Sequence, residues 1–415
     1  MKQCLILLTI GYPFGPGDMY LENELPFLAG KFDKILIFAQ DMGRGVEAAW
    51  PVPDGADAYN ISTKSKKAGR LGDISRGFFR SFFRTERYTE DKKYVGRSSA
   101  KRLFLEYFEA RSTRHFKETA RLLERYDLSG FDRVVIYSYW FFATARTGVF
   151  LKEHLRHHNV SFISRGHRYD IYDYANRLSY LPERDFLFEH VDRLYACSID
   201  GQRYLCEKFP RWRDKVDCAY LGTRDRGLSP IKNDGIFRIV SCSRAAPVKR
   251  VDRIARALAL LRDSGLKLSW VHIGDGKELP KIKRLAAEQL GFMDVEFKGR
   301  LSNADVFGYY LNNPVGVFVN VSNSEGLPVS IMEASSLGIP SVAADVGGTR
   351  ELLSDGVSGF LLGRDFSDRE LADAIERMAR LPADEYEVFR RQARLNWERN
   401  FRAEVNYARF AEVIS

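Results

Sequence analysis

The chain of 415 residues is 45% hydrophobic and 29% charged, and it carries a formal net charge of +9. Its length predicts more than one domain, and its composition is that of an ordinary soluble protein. The longest uncharged stretch rich in aromatic residues, 134–145, is shorter than the roughly 20 residues that a membrane-spanning helix needs, so we expect no spanning segment.

The five cysteines are widely separated, and none belongs to a Cys-x-x-Cys pair. Neither a disulfide framework nor a zinc site is therefore indicated, and the expected compartment is the reducing cytosol. The apolar start of the chain, 1–8, leads into a loop of Gly and Pro rather than a small-residue cleavage site. We therefore predict a first strand there and not a signal peptide.

The N-terminal stretch predicts a strand, a Gly/Pro loop, a helix and a second strand, at 4–10, 11–17, 21–28 and 34–38. Gly15 and Gly17 would let the backbone of the loop approach a ligand closely, although such loops are more often plain turns. Glu22 and Glu24 fall in the first turn of the helix, where we interpret them as capping charges.

Residues 43–73 show no clear hydrophobic period, and the stretch 43–100 is interpreted as a basic insertion. The segment 64–102 has thirteen Lys or Arg and four Asp or Glu, and thirteen minus four equals the whole net charge of +9. Within it, 77–84 alternates pairs of Phe with Arg, which is typical of a helix on an anionic membrane surface. A buried aromatic face with a basic rim fits equally well, whereas nucleic acid is not expected because no nucleic-acid module accompanies the patch.

The next part of the chain predicts a long helix at 101–126 and strands at 132–138, 160–164, 192–196 and 216–220. His167 and Asp170 come directly after the second of these strands. A lone His is usually structural, but the carboxyl end of a strand beside Gly166 is a position suited to chemistry.

A stretch of linker composition, 221–235, predicts the domain boundary. A strand at 237–242 follows it, and Arg244 and Lys249 lie in the loop before the next helix. Arg can hold phosphate oxygens with two hydrogen bonds and Lys supplies a point charge, so this spacing suits a diphosphate.

The stretch 315–354 predicts a buried strand, a loop, a short helix that starts at Pro328 and stops near Gly338, and a second strand at 341–344. Thr349 is predicted to cap a further helix. Helix N-termini at the carboxyl ends of parallel strands favour phosphates. Glu325 precedes the first of these helices and Glu333 falls in its second turn, so both carboxylates can reach the same edge of the sheet.

This stretch resembles the E-x7-E signature of family-4 retaining glycosyltransferases, which have the GT-B fold. The resemblance rests on the wording Ser324-Glu-Gly-Leu-Pro328, Glu333-Ala, Gly338-Ile-Pro and Gly347-Gly-Thr. It implies an α/β protein of two Rossmann-like domains with a donor cleft between them. The expected domains are an acceptor-side domain at 1–222, a nucleotide-sugar domain at 223–395, and a C-terminal helix at 396–415 that crosses back to the first domain.

By the same resemblance, Glu325 would contact the transferred sugar and His167 would line the acceptor side, and we predict both as catalytic residues. Glu333 would accept hydrogen bonds from the donor ribose. The other residues predicted by resemblance are the donor-binding Arg244, Lys249, Gly326, Leu327, Leu301 and Gly15 and the acceptor-side Asp170.

The expected activity is transfer of a sugar from a nucleoside diphosphate to a hydroxyl of a carbohydrate, glycolipid or glycoprotein, in bacterial-type polysaccharide or glycoconjugate assembly. No Asp-x-Asp triplet occurs in the sequence, so we expect no metal and no cofactor. The alternatives are a non-catalytic GT-B subunit of a glycosyltransferase complex and a GT-B nucleotide-sugar epimerase. The enzyme is expected in the cytoplasm, with the basic segment 64–102 as a candidate contact to the inner face of the membrane.

Overall fold

The computed structural model describes residues 1–15, 17–62, 71–76, 86–231 and 234–415, with the backbone alone for 86–90. The chain divides into two compact units, one formed by Met1–Tyr220 with Tyr407–Ser415 and the other by Leu221–Asn406. The helix predicted at 77–84, a candidate contact to a membrane surface, lies outside the described residues. The boundary between the two units falls after residue 220, two residues before the predicted boundary.

The described part of the first unit contains one sheet of seven parallel strands in the order β3-β2-β1-β4-β5-β6-β7. Its strands are β1 (Gln3–Thr9), β2 (Lys34–Ala39), β3 (Ala56–Asn60), β4 (Arg133–Ser138), β5 (Val160–Gly166), β6 (Arg193–Ala196) and β7 (Val216–Cys218). Five inner strands and β7 follow the predicted apolar runs. The edge strand β3 was not predicted, because its half-buried residues have no apolar period.

Helices cover this sheet, as parallel connections require. They are α1 (Leu21–Ala29), α2 (Glu86–Val95), α3 (Ser99–Leu123), α4 (Ala143–His154), α5 (Arg184–His190) and α6 (Ile199–Lys208), with 3-10 turns at Leu128–Gly130, Asp173–Ala175 and Pro210–Lys215. Residues 71–76 are also helical. Leu5 and Leu7 pack into the core on one face of β1, and Ile6 and Leu8 into the core on the other. Both faces of the sheet are therefore buried.

Glu24 is not the exposed capping charge that the sequence suggested. It is fully buried, it accepts a hydrogen bond from the Tyr137 hydroxyl at 2.9 Å, and its carboxylate lies 3.4 Å from Nη1 of the buried Arg165. Burial raises the pKa of Glu24, and the charge of Arg165 opposes that rise. This pair joins α1 to β5 inside the first unit.

The second unit has a sheet of six parallel strands among its described residues, in the order β10-β9-β8-β11-β12-β13. They are β8 (Ile236–Cys242), β9 (Lys267–Ile273), β10 (Asp294–Gly299), β11 (Val317–Asn320), β12 (Ser341–Ala344) and β13 (Gly359–Leu362). The chain builds β8, β9 and β10 outward and then returns to the other side of β8 with β11. The crevice outside the carboxyl ends of β8 and β11 is thus the switch point where such sheets bind ligands.

The helices of this unit are α7 (Val251–Ala259), α8 (Leu279–Gln289), α9 (Asn303–Asn312), α10 (Val329–Ser336), α11 (Thr349–Leu352), α12 (Asp368–Ala379) and α13 (Ala383–Asn400), with a 3-10 turn at Pro247–Lys249. Thr349 does not cap α11 as predicted. Gly348 holds the N-cap position, and the Thr349 hydroxyl donates a hydrogen bond to the carbonyl of Val346 at 2.7 Å.

The last helix, α14 (Ala403–Ile414), groups with the first unit from Tyr407 onward. The sequence predicted this separation earlier, at residue 396. The structure keeps 396–406 in the second unit because the Trp397 indole is buried there and donates to Thr223 Oγ1 at 2.7 Å. The backbones of Thr223 and Ala403 are also hydrogen-bonded at 3.0 Å.

Candidate active site

The loops at the switch point of the second unit carry the predicted cations and Glu325. Lys249 Nζ donates a hydrogen bond to Glu325 Oε1 at 2.6 Å, with 25% of the Lys249 side chain and 9% of the Glu325 side chain exposed. The contact joins the loop after β8 to the loop after β11. Residues 76 positions apart in the chain are therefore brought together at one edge of the sheet.

Arg244 lies on the same loop as Lys249, and its side chain is exposed. In the described part of the chain its guanidinium makes no hydrogen bond and no ion pair. The two cations are thus placed differently, since Lys249 is held by Glu325 and Arg244 is accessible to an anion.

Arg250, which the sequence did not single out, ties these loops together. Its Nε donates to the carbonyl of Val321 at 2.7 Å and its Nη2 to that of Ser322 at 3.1 Å, while the guanidinium stacks on Phe366. The backbone of Arg250 is left-handed, with φ +49°. Nothing in the sequence distinguishes Arg250 from a surface arginine, so its role could not be predicted.

Two glycines permit loops of the second unit to approach each other closely. A Cβ on Gly347 would lie 2.1 Å from the carbonyl oxygen of Glu325, and the φ of Gly347 is +55°. A Cβ on Gly274 would lie 1.9 Å from the carbonyl oxygen of Ser243. Side chains at these positions would push the loops apart. Gly348 N also donates to the carbonyl of Gly326 at 2.7 Å, which holds the loop before α10 in place.

Glu333 lies in the second turn of α10, as predicted, and is buried. Its Oε1 accepts a hydrogen bond from Asn303 Nδ2 at 2.7 Å. Burial raises the pKa of Glu333 to about 7, although the bond from Asn303 acts in the opposite direction. Asn303 is the first residue of α9, which Ser302 caps, and it was not predicted because only the fold brings it to Glu333.

The remaining predicted donor residues of the second unit lie close in sequence to Asn303 and Glu325. Leu301 is half-buried and lies two residues before Asn303, and Leu327 is buried between Gly326 and the N-cap of α10. That N-cap, Pro328, supplies no side-chain hydrogen bond to the helix. The backbone N–H groups of the first turn of α10 are therefore not satisfied by a capping side chain.

In the first unit, the switch point lies between β1 and β4. Gly15 is buried in the loop after β1, and its N–H donates to the carbonyl of Gly11 at 2.9 Å. The shape of this loop depends on Asp18, which accepts hydrogen bonds from the backbone of Gly11 at 2.6 Å and of Ile10 at 2.9 Å and from the Trp140 indole. Asp18 was not predicted, although an Asp that follows a Gly-rich turn is a recognisable signal for such a role.

His167 and Asp170 lie where the sequence predicted, after β5. The His167 imidazole is buried beside the Trp140 ring, with 4.6 Å between centroids, and its Nε2 lies 3.0 Å from the carbonyl of Tyr139. Burial and the charge of Arg165 lower the pKa of His167 to about 3, so the imidazole is neutral at pH 7. Because a carbonyl only accepts, Nε2 carries the proton and Nδ1 is the acceptor nitrogen.

The Asp170 carboxylate is fully buried and bonds to backbone rather than facing outward. It accepts hydrogen bonds from His167 N at 2.8 Å and from Phe141 N at 2.7 Å. Burial raises its pKa to about 6. Asp170 therefore fixes the loop that carries His167 against the loop after β4.

Two kinds of feature are absent from the described residues. No helix there is both long enough and apolar enough to cross a bilayer. No group of three or more His, Cys, Asp or Glu side chains there is arranged to hold a metal ion. The five cysteines are free thiols.

Residues 229–396 match the family model of glycosyl transferases group 1. This region holds all the predicted donor-side residues of the second unit. The matched residues lie within the second unit. The D-inositol 3-phosphate glycosyltransferase of Frankia alni is 29% identical to this chain over 211 residues, which are 46% of the chain and 51% of that protein. The Vi polysaccharide biosynthesis protein VipC/TviE of Salmonella typhi is 36% identical over 129 residues, 31% of the chain and 20% of that protein. The chain thus spans about half or less of the length of these relatives.

Among solved structures, HepE of Anabaena in complex with UDP and glucose superposes with a TM-score of 0.66 and 16% identity, over 100% of this chain and 99% of that one. At this identity the similarity shows the fold. The chain has the GT-B fold, with two α/β units that each contain a parallel sheet. Arg244, Lys249, Glu325 and Glu333 all belong to the region that matches the family model.

Proposed function

We propose that the protein is a retaining glycosyltransferase that moves a sugar from a nucleoside diphosphate to a hydroxyl group. The observation that carries this proposal is the contact of Lys249 with Glu325 at the switch point of a group 1 glycosyl transferase domain. A cation suited to a diphosphate and a carboxylate suited to a developing positive charge lie side by side there. That is the arrangement needed to break a bond between an anomeric carbon and a phosphate oxygen.

The donor would be held at both ends of its nucleotide part. Arg244 and Lys249 would bind the diphosphate, assisted by the uncapped first turn of α10 next to Gly326 and Leu327. Glu333 would accept hydrogen bonds from the ribose, with Asn303 holding its carboxylate in place. Leu301 would lie against the base. In the first unit, Gly15 would let the loop after β1 approach the donor.

In the reaction, the bond from the anomeric carbon to the diphosphate breaks, and the electron pair leaves with the diphosphate. Lys249 and Arg244 would stabilise the negative charge that develops there, so we propose that turnover needs no metal. Glu325 would stabilise the positive charge at the anomeric carbon. The acceptor hydroxyl would then attack from the face that the diphosphate leaves, its proton would pass to the departing phosphate oxygen, and the configuration would be retained.

On the acceptor side, the neutral His167 could accept a hydrogen bond from the acceptor hydroxyl through Nδ1. Asp170 would act through His167 by fixing its loop. We propose a role in polysaccharide or glycoconjugate assembly, supported by the polysaccharide biosynthesis protein among the relatives. We also propose that the reaction takes place in the cytoplasm.

The test is a panel of nucleotide sugars measured by thermal shift, followed by mass spectrometry of products formed with saccharide acceptors. A rise in melting temperature with one nucleotide sugar, and a product heavier by one sugar residue, would support the proposal. A protein that binds no nucleotide would be the non-catalytic subunit of a complex. Interconversion of two nucleotide sugars without transfer would indicate an epimerase.

A further inference from the structure

A cavity lies in the first unit, among residues that the proposed reaction does not use. Its volume is about 260 Å³, and its walls come from α2, α3, the loop after β5 and the end of α6. Its charged lining residues are Lys93, Lys101, Asp173, Arg184 and Lys208. Four cations and one carboxylate leave an excess of positive charge around this cavity.

Two of the cations are already neutralised by aspartates. Lys93 Nζ lies 2.6 Å from Asp185 Oδ2, and Lys208 forms an ion pair with Asp173. These pairs account for two positive charges and leave Lys101 and Arg184.

Lys101 and Arg184 have no carboxylate partner within the described ranges. Lys101 Nζ donates to the carbonyl of Tyr94 at 3.2 Å, and Arg184 donates to the carbonyls of Phe141, at 2.7 Å, and of Asp170. Arg184 is buried, and its Nε has no hydrogen-bond partner among the described residues. Burial lowers the pKa of Arg184 to about 10, although the charge of Asp170 acts in the opposite direction.

Asp91, whose hydrogen-bond partner Tyr180 lines the cavity, is committed elsewhere. It accepts hydrogen bonds from the Tyr180 hydroxyl and from Glu183 N at 2.9 Å. Asp91 therefore fixes the wall of the cavity, and the Lys101 ammonium still lacks an anionic acceptor.

The rest of the lining suits an organic ligand better than a bare ion. The rings of Tyr94 and Tyr180 are held by their hydroxyls, which donate to Asp185 at 2.9 Å and to Asp91. Ile171, Leu181 and Phe209 complete an apolar wall. Fixed aromatic faces and aliphatic side chains next to two cations match a molecule with an apolar ring face and one anionic group.

We propose that this cavity binds an acidic sugar, with Lys101 holding its phosphate or carboxylate, the charge of Arg184 adding to the attraction, and Tyr94 and Tyr180 contacting its ring. The inference rests on the proposed function in one respect, that the bound sugar is part of the acceptor. Ile171 lines the cavity and follows Asp170 directly, so one loop carries both this cavity and the residues around His167.

The test is calorimetry of the whole protein with glucose 6-phosphate, glucuronate, glucose and inorganic phosphate. We expect saturable binding of at least one of the two acidic sugars and weaker binding of glucose and of inorganic phosphate. Lys101→Gln should weaken the acidic sugar about tenfold or more, as expected for a lost charged hydrogen bond, and Lys101→Arg should restore most of it. The matched control is Lys117→Gln, because Lys117 is an exposed lysine on the same helix, α3, that does not line the cavity.

Equal affinity for glucose, equal affinity for inorganic phosphate, or equal effects of Lys101→Gln and Lys117→Gln would overturn the proposal. Titration with a nucleoside diphosphate separates it from the proposed function. Lys101→Gln should bind the nucleotide as the wild type does, because the predicted donor residues other than Gly15 lie in the second unit, and Gly15 does not line the cavity. If the protein binds the acidic sugar but no nucleotide, the proposal for the cavity is supported and the proposed glycosyltransferase function is overturned.

Discussion

Lys249 Nζ donates to Glu325 Oε1 at 2.6 Å, so the residue predicted to bind the donor diphosphate also holds the residue predicted to face the transferred sugar. Arg244, on the same loop, is exposed and has no such contact among the described residues. The two cations should therefore differ in function although the sequence pattern treats them as a pair. Their substitution separates binding of the donor from positioning of Glu325.

Arg244→Ala and Lys249→Ala should each weaken the free energy of nucleoside diphosphate binding by roughly 1.5–3 kcal/mol, the scale of a charged hydrogen bond. Lys249→Ala should lower turnover further, because Glu325 loses its partner. Calorimetry with the diphosphate and a rate assay at saturating donor measure the two effects. Lys281→Ala, an exposed lysine on α8, is the control. Wild-type binding by both variants would show that the diphosphate lies elsewhere.

Glu333 gives a pH-dependent prediction. Its pKa is raised from 4.5 to about 7 in the folded protein, so the folded state binds more protons than the unfolded state between these values. The contribution of Glu333 to the free energy of unfolding should thus fall as pH rises from 4.5 to 7, by about 3 kcal/mol in total. Glu333→Gln should remove this fall, so the variant should gain stability relative to the wild type as pH increases.

Urea unfolding of both proteins at pH 5 and pH 8 measures this difference. Asn303→Ala offers a second comparison. Because the hydrogen bond from Asn303 lowers the pKa of Glu333, its loss should raise that pKa and move the pH dependence upward. A difference between wild type and Glu333→Gln that does not change with pH would mean that Glu333 titrates normally.

The donor side could be predicted from sequence because apolar runs mark buried strands, and the loops after such strands meet at one edge of a parallel sheet. The placement of Glu325 in a loop and of Glu333 in the second turn of α10 followed from Pro328 and Gly338 alone. The roles of Arg250 and Asn303 could not be predicted from the sequence, since both depend on contacts between residues distant in the chain. Thr349 was misplaced by one position, because a threonine at a helix start is compatible with either the cap or the first turn.

The first unit was harder to predict for a related reason. Polar residues such as Asp18, Glu24 and Asp170 are buried there, and a sequence pattern assigns charged residues to the surface unless a partner is known. Arg165 and the backbone of the loops supply those partners. The edge strand β3 lacks an apolar period because only part of it is covered.

The proposed metal-free mechanism predicts that turnover continues in excess EDTA. Lys249 and Arg244 would provide the positive charge that a divalent cation provides to a leaving diphosphate in other transferases. The rate of product formation is compared with and without EDTA, after dialysis against the chelator. Loss of activity that Mg²⁺ or Mn²⁺ restores would show that the two side chains are insufficient.

The basic segment 64–102 predicts binding to anionic lipid, where a lipid-linked acceptor could be met. Arg76 is exposed, while Arg80 and Arg84 lie outside the described residues. Replacement of these three arginines by Ser should weaken binding to anionic liposomes by about 3 kcal/mol in sum, at roughly 1 per charge near the surface, and added salt should weaken the wild type. Sedimentation with anionic and neutral liposomes at low salt measures this. If the wild type does not bind anionic liposomes at low salt, the segment 64–102 is not a membrane contact.

The two glutamates should differ in what their substitution removes. Glu325 is proposed to meet the sugar as charge develops, so Glu325→Gln should lower turnover about 10²–10³-fold and leave nucleotide affinity almost unchanged, as expected for a group that stabilises the transition state. Glu333, which accepts a hydrogen bond from Asn303, is proposed to bind the ribose, which is common to the free diphosphate and the sugar donor. Glu333→Gln should therefore weaken both by about 1.5–3 kcal/mol. Calorimetry with the diphosphate and a rate assay on both variants decide the matter, and loss of nucleotide affinity in Glu325→Gln alone would show that the roles are reversed.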